Sequence, residues 1–410
     1  MSEETSYPKE KIKILFLENI SDKAVERFKQ NGYEDVRKIT GALSEEDLIK
    51  EIKDVHLLGI RSKSHITPKV LEAANRLQAI GCFCIGVNQV NLKEATKHGV
   101  SVFNAPYSNT RSVAELVIAA SIMLIRRIPD KNKAAHEGIW MKDSKGSFEL
   151  RGKTLGIIGY GNIGSQLSVL AEALGMNVIF YDIETKLPLG NAKAKKSLKE
   201  LVSESHIISL HVPETPQTKN LINKNNLKYF KKGSILINYA RGQVVDLDEL
   251  ATYLKNGDLG GAAIDVYPVE PEKNGQHFET PLQGLSNVLL TPHIGGSTEE
   301  AQQNIGDDVS AKLFNFLERG ITYGSHTVPA LSLPPVEGAH RILHIHKNVP
   351  GVLSAINSQL SNHNINIVGQ YLKTNDEIGY VVLDVDKRLS KQALDLLKDV
   401  KETIKVRMLY

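Results

Sequence analysis

Three polar residues that could bind a carboxylate and move a proton follow predicted strands: Arg241 in N-Y-A-R-G, Glu270 in V-Y-P-V-E-P and His293 in T-P-H-I-G-G. An arginine presents a planar fork that matches a carboxylate. A carboxylate bonded to one imidazole nitrogen fixes the tautomer and stabilises the imidazolium. Glycine or proline beside each residue limits or shapes the backbone there. The three residues therefore predict a site that grips an acid and exchanges a proton.

Opposing influences act on the predicted proton-exchanging group. The stretch Ser297–Glu300 predicts a capping box, with Ser297 as N-cap of a helix through about residues 299–317. The positive end of that helix disfavours an imidazolium at His293, whereas Glu270 favours it. We expect a histidine that titrates near neutral pH.

A glycine-rich turn predicts a dinucleotide site. G-x-G-x-x-G occurs at Gly159, Gly161 and Gly164, after an apolar strand and before a helix, and Asp182 ends the next strand. Such glycines allow a tight turn, a close approach of pyrophosphate to backbone N–H groups, and close helix–strand packing. The carboxylate of Asp182 suits a ribose 2′-hydroxyl and repels a 2′-phosphate, which predicts NAD rather than NADP. Hydride transfer from a 2-hydroxy acid to NAD, with His293 taking the hydroxyl proton, follows from this combination.

Alternating strands and helices must position these residues. Two βα series and a terminal βαββαβ unit predict an α/β protein with two doubly wound, Rossmann-like parallel-sheet domains and a C-terminal ferredoxin-like domain. Strands are predicted at residues 11–18, 56–61, 77–82 and 101–104, then at 154–159, 177–182, 207–212, 234–238, 261–266 and 287–291. The domains are predicted as 1–108 with 299–330 for the substrate, 109–298 for NAD, and 339–410 for regulation.

Composition excludes several classes of protein. The chain has 410 residues, 41% hydrophobic and 24% charged, with a net charge of +3, which does not indicate nucleic-acid binding. The longest apolar run, residues 116–125, is about half the ~20 residues needed to cross a bilayer. The only cysteines, Cys82 and Cys84, are predicted to be buried thiols. We expect a cytoplasmic protein without membrane or nucleic-acid partners.

The longer segments around these motifs resemble a known family. G-I-I-G-Y-G-N-I-G-S-Q-L, N-Y-A-R-G-Q-V-V-D, A-I-D-V-Y-P-V-E-P and L-L-T-P-H-I-G-G-S-T are similar to motifs of the D-isomer-specific 2-hydroxyacid dehydrogenases. I-R-S-K-S-H, A-I-G-C-F-C-I-G-V-N-Q-V and F-N-A-P-Y-S-N-T-R-S-V-A-E-L-V resemble members that oxidise 3-phospho-D-glycerate. The resemblance implies production of 3-phosphohydroxypyruvate, the first step of L-serine biosynthesis, in a homotetramer, with 2-oxoglutarate reduction as a side activity.

The resemblance also assigns residues to ligands. It implies that Arg241 binds substrate, Glu270 orients His293 and His293 transfers the proton, with further substrate contacts from Arg61, Ser62, Lys63 and Asn109. Lys63 stands where the family pattern has an arginine, and Thr40 where a substrate-facing lysine is usual. For NAD it implies Gly159, Gly161, Asn162, Ile163, Gly164, Asp182, Tyr239, Ala240, Arg241, Asp265, His293, Ile294, Gly295 and Gly296.

The C-terminal segment resembles an ACT regulatory domain, which binds an amino acid where two such domains pair. By that resemblance His346, Asn348 and Asn366 bind L-serine as a feedback inhibitor. The pair His344 and His346 in L-H-I-H lacks a nearby cysteine or acidic partner in the sequence, so no metal site is predicted.

Two other functions stay open at the level of sequence. One is a dehydrogenase for another 2-hydroxy acid, such as 2-hydroxyglutarate, glycerate or lactate. The basic residues Arg61, Lys63 and Arg241 favour a doubly anionic substrate over lactate, but do not separate a phosphate from a second carboxylate. The other is a redox-sensing corepressor, which would bind NAD and act by protein contact without turnover.

Overall fold

The computed structural model describes residues 7–271 and 275–409. Two compact units emerge from it: one comprises the described residues of Met1–Ser108 with Gln302–Tyr410, and the other comprises those of Asn109–Ala301.

A five-stranded parallel sheet forms the first half of the first unit, with strand order β2-β1-β3-β4-β5. All-parallel sheets are covered on both faces, which explains the apolar runs of its central strands. The strands are β1 (Ile14–Phe16), β2 (Val36–Lys38), β3 (Leu57–Ile60), β4 (Ala79–Cys82) and β5 (Ser101–Asn104). The helices are α1 (Asp22–Lys29), α2 (Glu45–Glu51), α3 (Pro68–Ala73) and α4 (Leu92–Lys97), after a 3₁₀ turn at Lys9–Lys11.

The second unit is built on a seven-stranded parallel sheet of order β12-β11-β10-β9-β6-β7-β8. The strand order reverses between β6 and β9, and in such sheets ligands bind outside the carboxyl ends of the strands at this point. The strands are β6 (Thr154–Ile158), β7 (Asn177–Tyr181), β8 (Lys193–Ala194), β9 (Ile207–Leu210), β10 (Ile235–Asn238), β11 (Gly261–Ile264) and β12 (Val288–Leu290). The helices are α5 (Thr110–Ile125), α6 (Ile128–His136), α7 (Asn162–Ala173), α8 (Leu198–Glu204), α9 (Lys224–Leu227) and α10 (Leu247–Lys255), with a 3₁₀ turn at Gly242–Val244.

A long helix, α11 (Glu299–Arg319), returns the chain to the first sheet. Gly81 of β4 makes room for it, because a Cβ there would lie 2.7 Å from side-chain carbons of Val309 and Leu313. The Ala301 amide donates to Thr298 Oγ1 at 3.1 Å, so Thr298 caps this helix. The predicted N-cap at Ser297 was wrong, since the Ser297 amide instead closes a turn onto the Ile294 carbonyl.

The C-terminal part of the first unit is an antiparallel sheet of order β14-β15-β13-β16 with two helices on one face. Its strands are β13 (Ala339–Lys347), β14 (Ile367–Thr374), β15 (Ile378–Asp386) and β16 (Thr403–Leu409); its helices are α12 (Val352–Asn362) and α13 (Ser390–Lys398), the latter after a 3₁₀ turn at Lys387–Leu389. The predicted βαββαβ order is present.

The predicted fold class is confirmed: two parallel α/β sheets and a four-stranded antiparallel sheet with helices. The predicted strands fall within a few residues of the observed ones, whereas the short strands β2 and β8 were not predicted. The second compact unit, Asn109–Ala301, differs from the predicted NAD domain by three residues at one end. Within the described residues, no helix is long and apolar enough to span a membrane.

Candidate active site

Arg241, Glu270 and His293 follow three adjacent strands at the same edge of the second sheet. In the parallel register, Asn238 of β10 pairs with Ile264 of β11, and Ile264 with Leu290 of β12. The chain therefore leaves all three strands at one level, and the segments carrying the three side chains begin side by side.

The structure joins Glu270 and His293 directly. The Nδ1 atom of His293 lies 2.7 Å from Oε2 of Glu270, and the two side chains are 52% and 35% exposed. The other carboxylate oxygen accepts the Tyr267 amide at 3.0 Å, which fixes the plane of the carboxylate. Since Nδ1 faces the carboxylate, Nε2 is the nitrogen that can exchange a proton with a substrate.

This pairing sets the charge of the histidine. The hydrogen bond that His293 donates to Glu270 raises the pKa of His293, and burial opposes it more weakly. Burial alone would raise the pKa of Glu270, but the bonds from His293 and the Tyr267 amide outweigh it and lower that pKa. The guanidinium of Arg241 is close enough to lower both pKa values. The influence of Glu270 on the pKa of His293 therefore outweighs burial and the charge of Arg241.

A buried carboxylate organises the turn that carries the histidine. Asp265 is fully buried, and its carboxylate accepts the amides of Ile294 at 2.8 Å and Gly295 at 2.7 Å and the hydroxyl of Thr291 at 2.6 Å. Its backbone carbonyl accepts the His293 amide at 2.8 Å. His293 has φ of 55°, in the left-handed region that is uncommon for residues other than glycine, and the contacts of Asp265 hold the turn in this conformation.

The segment around Arg241 is held by its own set of contacts. The buried Asn238 side chain accepts the Ala240 amide at 3.2 Å and donates to the Arg241 carbonyl at 3.0 Å. A Cβ on Gly242 would lie 2.0 Å from the backbone of Tyr267. Only glycine lets the arginine segment pack this closely on the segment leading to Glu270, which explains the R-G pair in the sequence.

The glycine-rich turn has the shape that a pyrophosphate requires. Gly159 has φ of +91°, and a Cβ there would lie 2.5 Å from the His211 carbonyl. A Cβ on Gly164 would lie 2.2 Å from the Gly159 carbonyl, whereas Gly161 faces open space. Gly161 is also the N-cap of the 12-residue helix α7, so unpaired amides and the positive helix end face outward there. These residues fit an NAD pyrophosphate.

Asp182 follows β7 and closes this turn. One of its oxygens accepts the Tyr160 amide at 2.8 Å and the other accepts the Glu184 amide at 2.9 Å. Both bonds leave lone pairs for ribose hydroxyls. Lys186, the nearest candidate to hold a 2′-phosphate, is paired with Glu184.

The sequence-predicted substrate residues divide between the two units. Arg61, Ser62 and Lys63 form the loop after β3 in the first unit, and Arg61 donates to Gln302 on α11 at 2.6 Å. Asn109 lies in the second unit, where its amide would be 2.3 Å from a Cβ on Gly296. Asn109 therefore borders the histidine turn.

The predicted effector residues lie at both ends of the C-terminal sheet: His346, paired with Gly379, and Asn348 are at one end, and Asn366, next to the Ile367–Val385 pair, is at the other. His346 is 4% exposed with its Nδ1 unpaired, and Gly379 opposite makes room for its ring. Asn348 donates to the Asn375 carbonyl at 2.7 Å, and Asn366 is exposed just before β14. Among the residues described by the structure, no cluster of three His, Cys, Asp or Glu side chains could hold a metal ion.

Three residues of this site were not predicted from the sequence: Asn238, Tyr267 and Thr291. The hydroxyl of Tyr267 donates to the carbonyls of Ile264 and Thr291 at 3.0 and 2.9 Å, tying β11 to β12. Each lies at or just beyond a strand end, and Asn238 and Tyr267 are buried there, which is unusual for polar side chains. A polar residue closing an apolar strand was the available signal.

Comparison with known proteins agrees with this architecture. Residues 118–295 match the family model described as D-isomer specific 2-hydroxyacid dehydrogenase, NAD binding domain, and residues 342–405 match the AHAS small subunit-like ACT domain. The chain is 51% identical over 410 residues to D-3-phosphoglycerate dehydrogenase of Haemophilus influenzae, covering 100% of both. It is 50% identical over 407 residues to the Escherichia coli K12 protein of the same name, covering 99% of both.

A solved structure shows the same dehydrogenase architecture. D-lactate dehydrogenase from Aquifex aeolicus, complexed with NAD and lactic acid, is 28% identical with a TM-score of 0.64, and the match covers 74% of this chain and 95% of that one. The chain belongs to the D-isomer-specific 2-hydroxyacid dehydrogenases, and within them to the D-3-phosphoglycerate dehydrogenases that carry a C-terminal ACT domain. Its second unit is an NAD-binding domain.

Proposed function

We propose that this enzyme oxidises 3-phospho-D-glycerate to 3-phosphohydroxypyruvate with NAD, and catalyses the reverse reduction. The observation that carries the proposal is the 2.7 Å pair of His293 and Glu270, at the carboxyl edge of an NAD-binding sheet and beside Arg241. The full-length relatives named D-3-phosphoglycerate dehydrogenase support this choice of substrate.

Each residue has a distinct role in the proposed reaction. The guanidinium of Arg241 pairs with the C1 carboxylate and orients C2. Nε2 of His293 takes the proton from the C2 hydroxyl, and Glu270 stabilises the resulting imidazolium through Nδ1. Bound NAD supplies the nicotinamide carbon that accepts the hydride from C2. In the reverse direction the imidazolium returns its proton to the carbonyl oxygen.

The cofactor is held, in this proposal, by two segments of the sheet edge. The amides from Gly159 to Gly164, including those of Asn162 and Ile163, bind the pyrophosphate, and Asp182 accepts hydrogen bonds from the adenosine ribose. The backbone from Tyr239 to Arg241, Asp265 and the turn from His293 to Gly296 border the nicotinamide half. The repulsion between Asp182 and a 2′-phosphate favours NAD over NADP.

The substrate phosphate is assigned to Arg61, Ser62 and Lys63, and Asn109 is assigned a further substrate contact. Lys63 offers a point charge, whereas an arginine would bind the phosphate with two parallel hydrogen bonds. Arg61 therefore supplies the planar, bidentate grip in this loop.

A steady-state assay of NADH oxidation tests the proposal, with phosphohydroxypyruvate, 2-oxoglutarate and pyruvate as alternative substrates. We expect the highest kcat/KM for phosphohydroxypyruvate, a lower value for the doubly anionic 2-oxoglutarate, and little turnover of pyruvate. A higher kcat/KM for 2-oxoglutarate would reassign the substrate. Bound NADH without turnover of any of the three would instead favour the corepressor function.

The His293–Glu270 pair predicts a particular pH dependence. Reduction needs a protonated His293, so the rate falls as pH rises through the pKa of this residue. Glu270→Gln removes the largest cause that raises this pKa, so the decline should begin at lower pH in the variant. Oxidation needs neutral His293, and its rise with pH should move to lower pH as well. Profiles of kcat/KM against pH measure both limbs, and limbs that stay in place would contradict the pairing.

We propose further that L-serine binds the ACT domain as an inhibitor, in a cytoplasmic homotetramer. His346, Asn348 and Asn366 stand at the strand and helix ends where amide and imidazole groups can meet an amino acid's charged groups. The exposed apolar residues Ile139, Trp140 and Phe148, with Trp140 86% exposed, offer a surface for contact between subunits. Cys82 and Cys84 are free thiols rather than halves of a disulfide, which suits a reducing compartment.

The effector site gives a separate prediction. L-serine should lower activity and D-serine should not, and His346→Ala should bring the ratio of activities with and without L-serine close to one. His363→Ala, at an exposed histidine of the same domain, is the matched control and should retain the ratio of the parent enzyme. Undiminished inhibition in the His346 variant would place the effector elsewhere.

A further inference from the structure

Glu18 is a buried acidic residue outside the proposed catalytic group. It accepts hydrogen bonds from the loop of residues 61–64 after β3, which we call the substrate loop. It is 7% exposed. Its Oε1 accepts the amides of Arg61 at 3.1 Å and Ser64 at 2.9 Å, and its Oε2 accepts the amide of Lys63 at 3.0 Å. One carboxylate therefore binds three backbone N–H groups of a four-residue loop.

The backbone around Glu18 is held in an unfavourable conformation. Glu18 and Asn19 have φ of 60° and 53°, so two consecutive non-glycine residues adopt the left-handed region. Such conformations persist where surrounding contacts impose them, and they concentrate at functional sites. In this conformation the carboxylate of Glu18 turns back towards the loop after β3.

The same turn also fixes a second loop. The Glu18 amide donates to the Gly41 carbonyl at 3.1 Å, and the Asn19 amide donates to the Ile39 carbonyl at 3.2 Å. Thr40 lies between these two acceptors. The turn at Glu18 thus joins the loop of Thr40 to the loop of Arg61, Ser62 and Lys63.

The substrate loop is restrained on its other side as well. Gln89, 5% exposed, donates to the Arg61 carbonyl at 2.7 Å, and the Arg61 guanidinium donates to Gln302. With its amide on Glu18 and its carbonyl on Gln89, the backbone of Arg61 is fixed in both directions. Ser62 and Lys63 remain exposed at the tip of the loop.

We propose that Glu18 is a positioning residue for recognition of the substrate phosphate. Its carboxylate accepts hydrogen bonds from the inward-facing amides of the loop. The loop therefore presents Arg61, Ser62 and Lys63 in one arrangement before substrate binds. Pre-organisation of this kind strengthens binding because no ordering cost remains to be met on association. The inference rests on the proposed substrate and adds a residue that does not itself touch it.

The geometry requires two accepting oxygens on a side chain of this length. Both oxygens of a carboxylate accept, whereas a glutamine replaces one of them with a donor that repels the facing amide. Glu18→Gln keeps the size of the side chain and loses at least one of the three bonds. Glu18→Asp keeps the charge but shortens the reach by one methylene.

The experiment measures KM for phosphohydroxypyruvate and for NADH in the full-length enzyme and in Glu18→Gln. We expect the KM for phosphohydroxypyruvate to rise about tenfold or more, while the KM for NADH changes less than about twofold. Glu18→Asp should lie between the parent and Glu18→Gln. Hydrogen exchange of the peptide spanning residues 60–66 should accelerate in Glu18→Gln.

Thr327→Val is the matched control for loss of stability in the same unit. The buried Thr327 hydroxyl bonds the Val100 carbonyl at 2.7 Å and accepts the Val102 amide at 3.1 Å, away from the loop. Its loss should lower the melting temperature and leave the KM for phosphohydroxypyruvate unchanged. A KM unchanged in Glu18→Gln, or raised equally in both variants, would overturn the proposal.

Two further outcomes are decisive. If Glu18→Gln does not fold, Glu18→Asp carries the same test, and a parental KM in that variant contradicts the proposal. If the parent enzyme does not turn over phosphohydroxypyruvate, the proposed function fails. Exchange of peptide 60–66 then decides the loop contact alone, and an unchanged rate in Glu18→Gln contradicts it.

Discussion

His293→Ala is expected to lower kcat by about 10²- to 10⁴-fold in both directions, the usual contribution of a positioned acid–base group. The variant keeps the sheet edge and Arg241 but lacks the imidazole nitrogen that would take the hydroxyl proton. Binding of NADH, followed by its fluorescence, should change little, because the imidazole ring is a small part of the cofactor surface. Steady-state rates with phosphohydroxypyruvate, and with 3-phosphoglycerate and NAD, measure the loss.

A second histidine–carboxylate pair in the same unit provides the control. Nε2 of His277 lies 2.8 Å from Glu279, with both side chains more than three-quarters exposed. His277→Ala should retain the parental kcat. A fall of less than about tenfold in His293→Ala, or an equal fall in His277→Ala, would remove His293 from the chemistry.

Arg241→Gln is expected to lower kcat/KM for phosphohydroxypyruvate by about 10²- to 10³-fold, corresponding to roughly 3–4 kcal/mol for one partner of a desolvated charge pair. Glutamine cannot pair with the C1 carboxylate through two parallel charged bonds. Arg241→Lys keeps the charge without the fork, so its kcat/KM should lie between those of Arg241→Gln and the parent. Initial rates at varied substrate concentrations and saturating NADH measure the change.

Arg151 serves as the control for this arginine. It is exposed and stands before β6, at the amino end of the sheet. Arg151→Gln should leave kcat/KM at the parental value. If Arg241→Lys matches the parent, a point charge suffices and the bidentate pairing is incorrect.

Much of the fold follows from local sequence patterns. Buried parallel strands need continuous apolar runs, and T-L-G-I-I and S-I-L-I-N show them clearly. The glycine motif was equally easy to recognise in the sequence. Gly159 and Gly164 are required there because a Cβ on either one would meet a backbone carbonyl, that of His211 or that of Gly159. The strand β2, V-R-K, was not predicted, because only one of its three residues is buried.

The three residues of the candidate site stand out in the sequence, whereas the residues that hold them in place do not. Arg241, Glu270 and His293 stand out because glycine or proline flanks each one. The roles of Thr291 and Glu18 depend on hydrogen bonds to residues distant in the sequence, such as the 46 positions that separate Glu18 from Ser64. The left-handed φ of Glu18 and His293 is likewise imposed by tertiary contacts. No local pattern encodes either feature.

A crystal structure of the enzyme with NAD and 3-phosphoglycerate tests the central claim most directly. The account predicts Nε2 of His293 within hydrogen-bond distance of the C2 hydroxyl, the carboxylate on Arg241, and the phosphate on the loop of Arg61, Ser62 and Lys63. The account would be contradicted by a complex in which the C2 hydroxyl of the substrate faces another ionisable group. In that complex His293 would still be paired with Glu270, but its Nε2 would point away from the substrate.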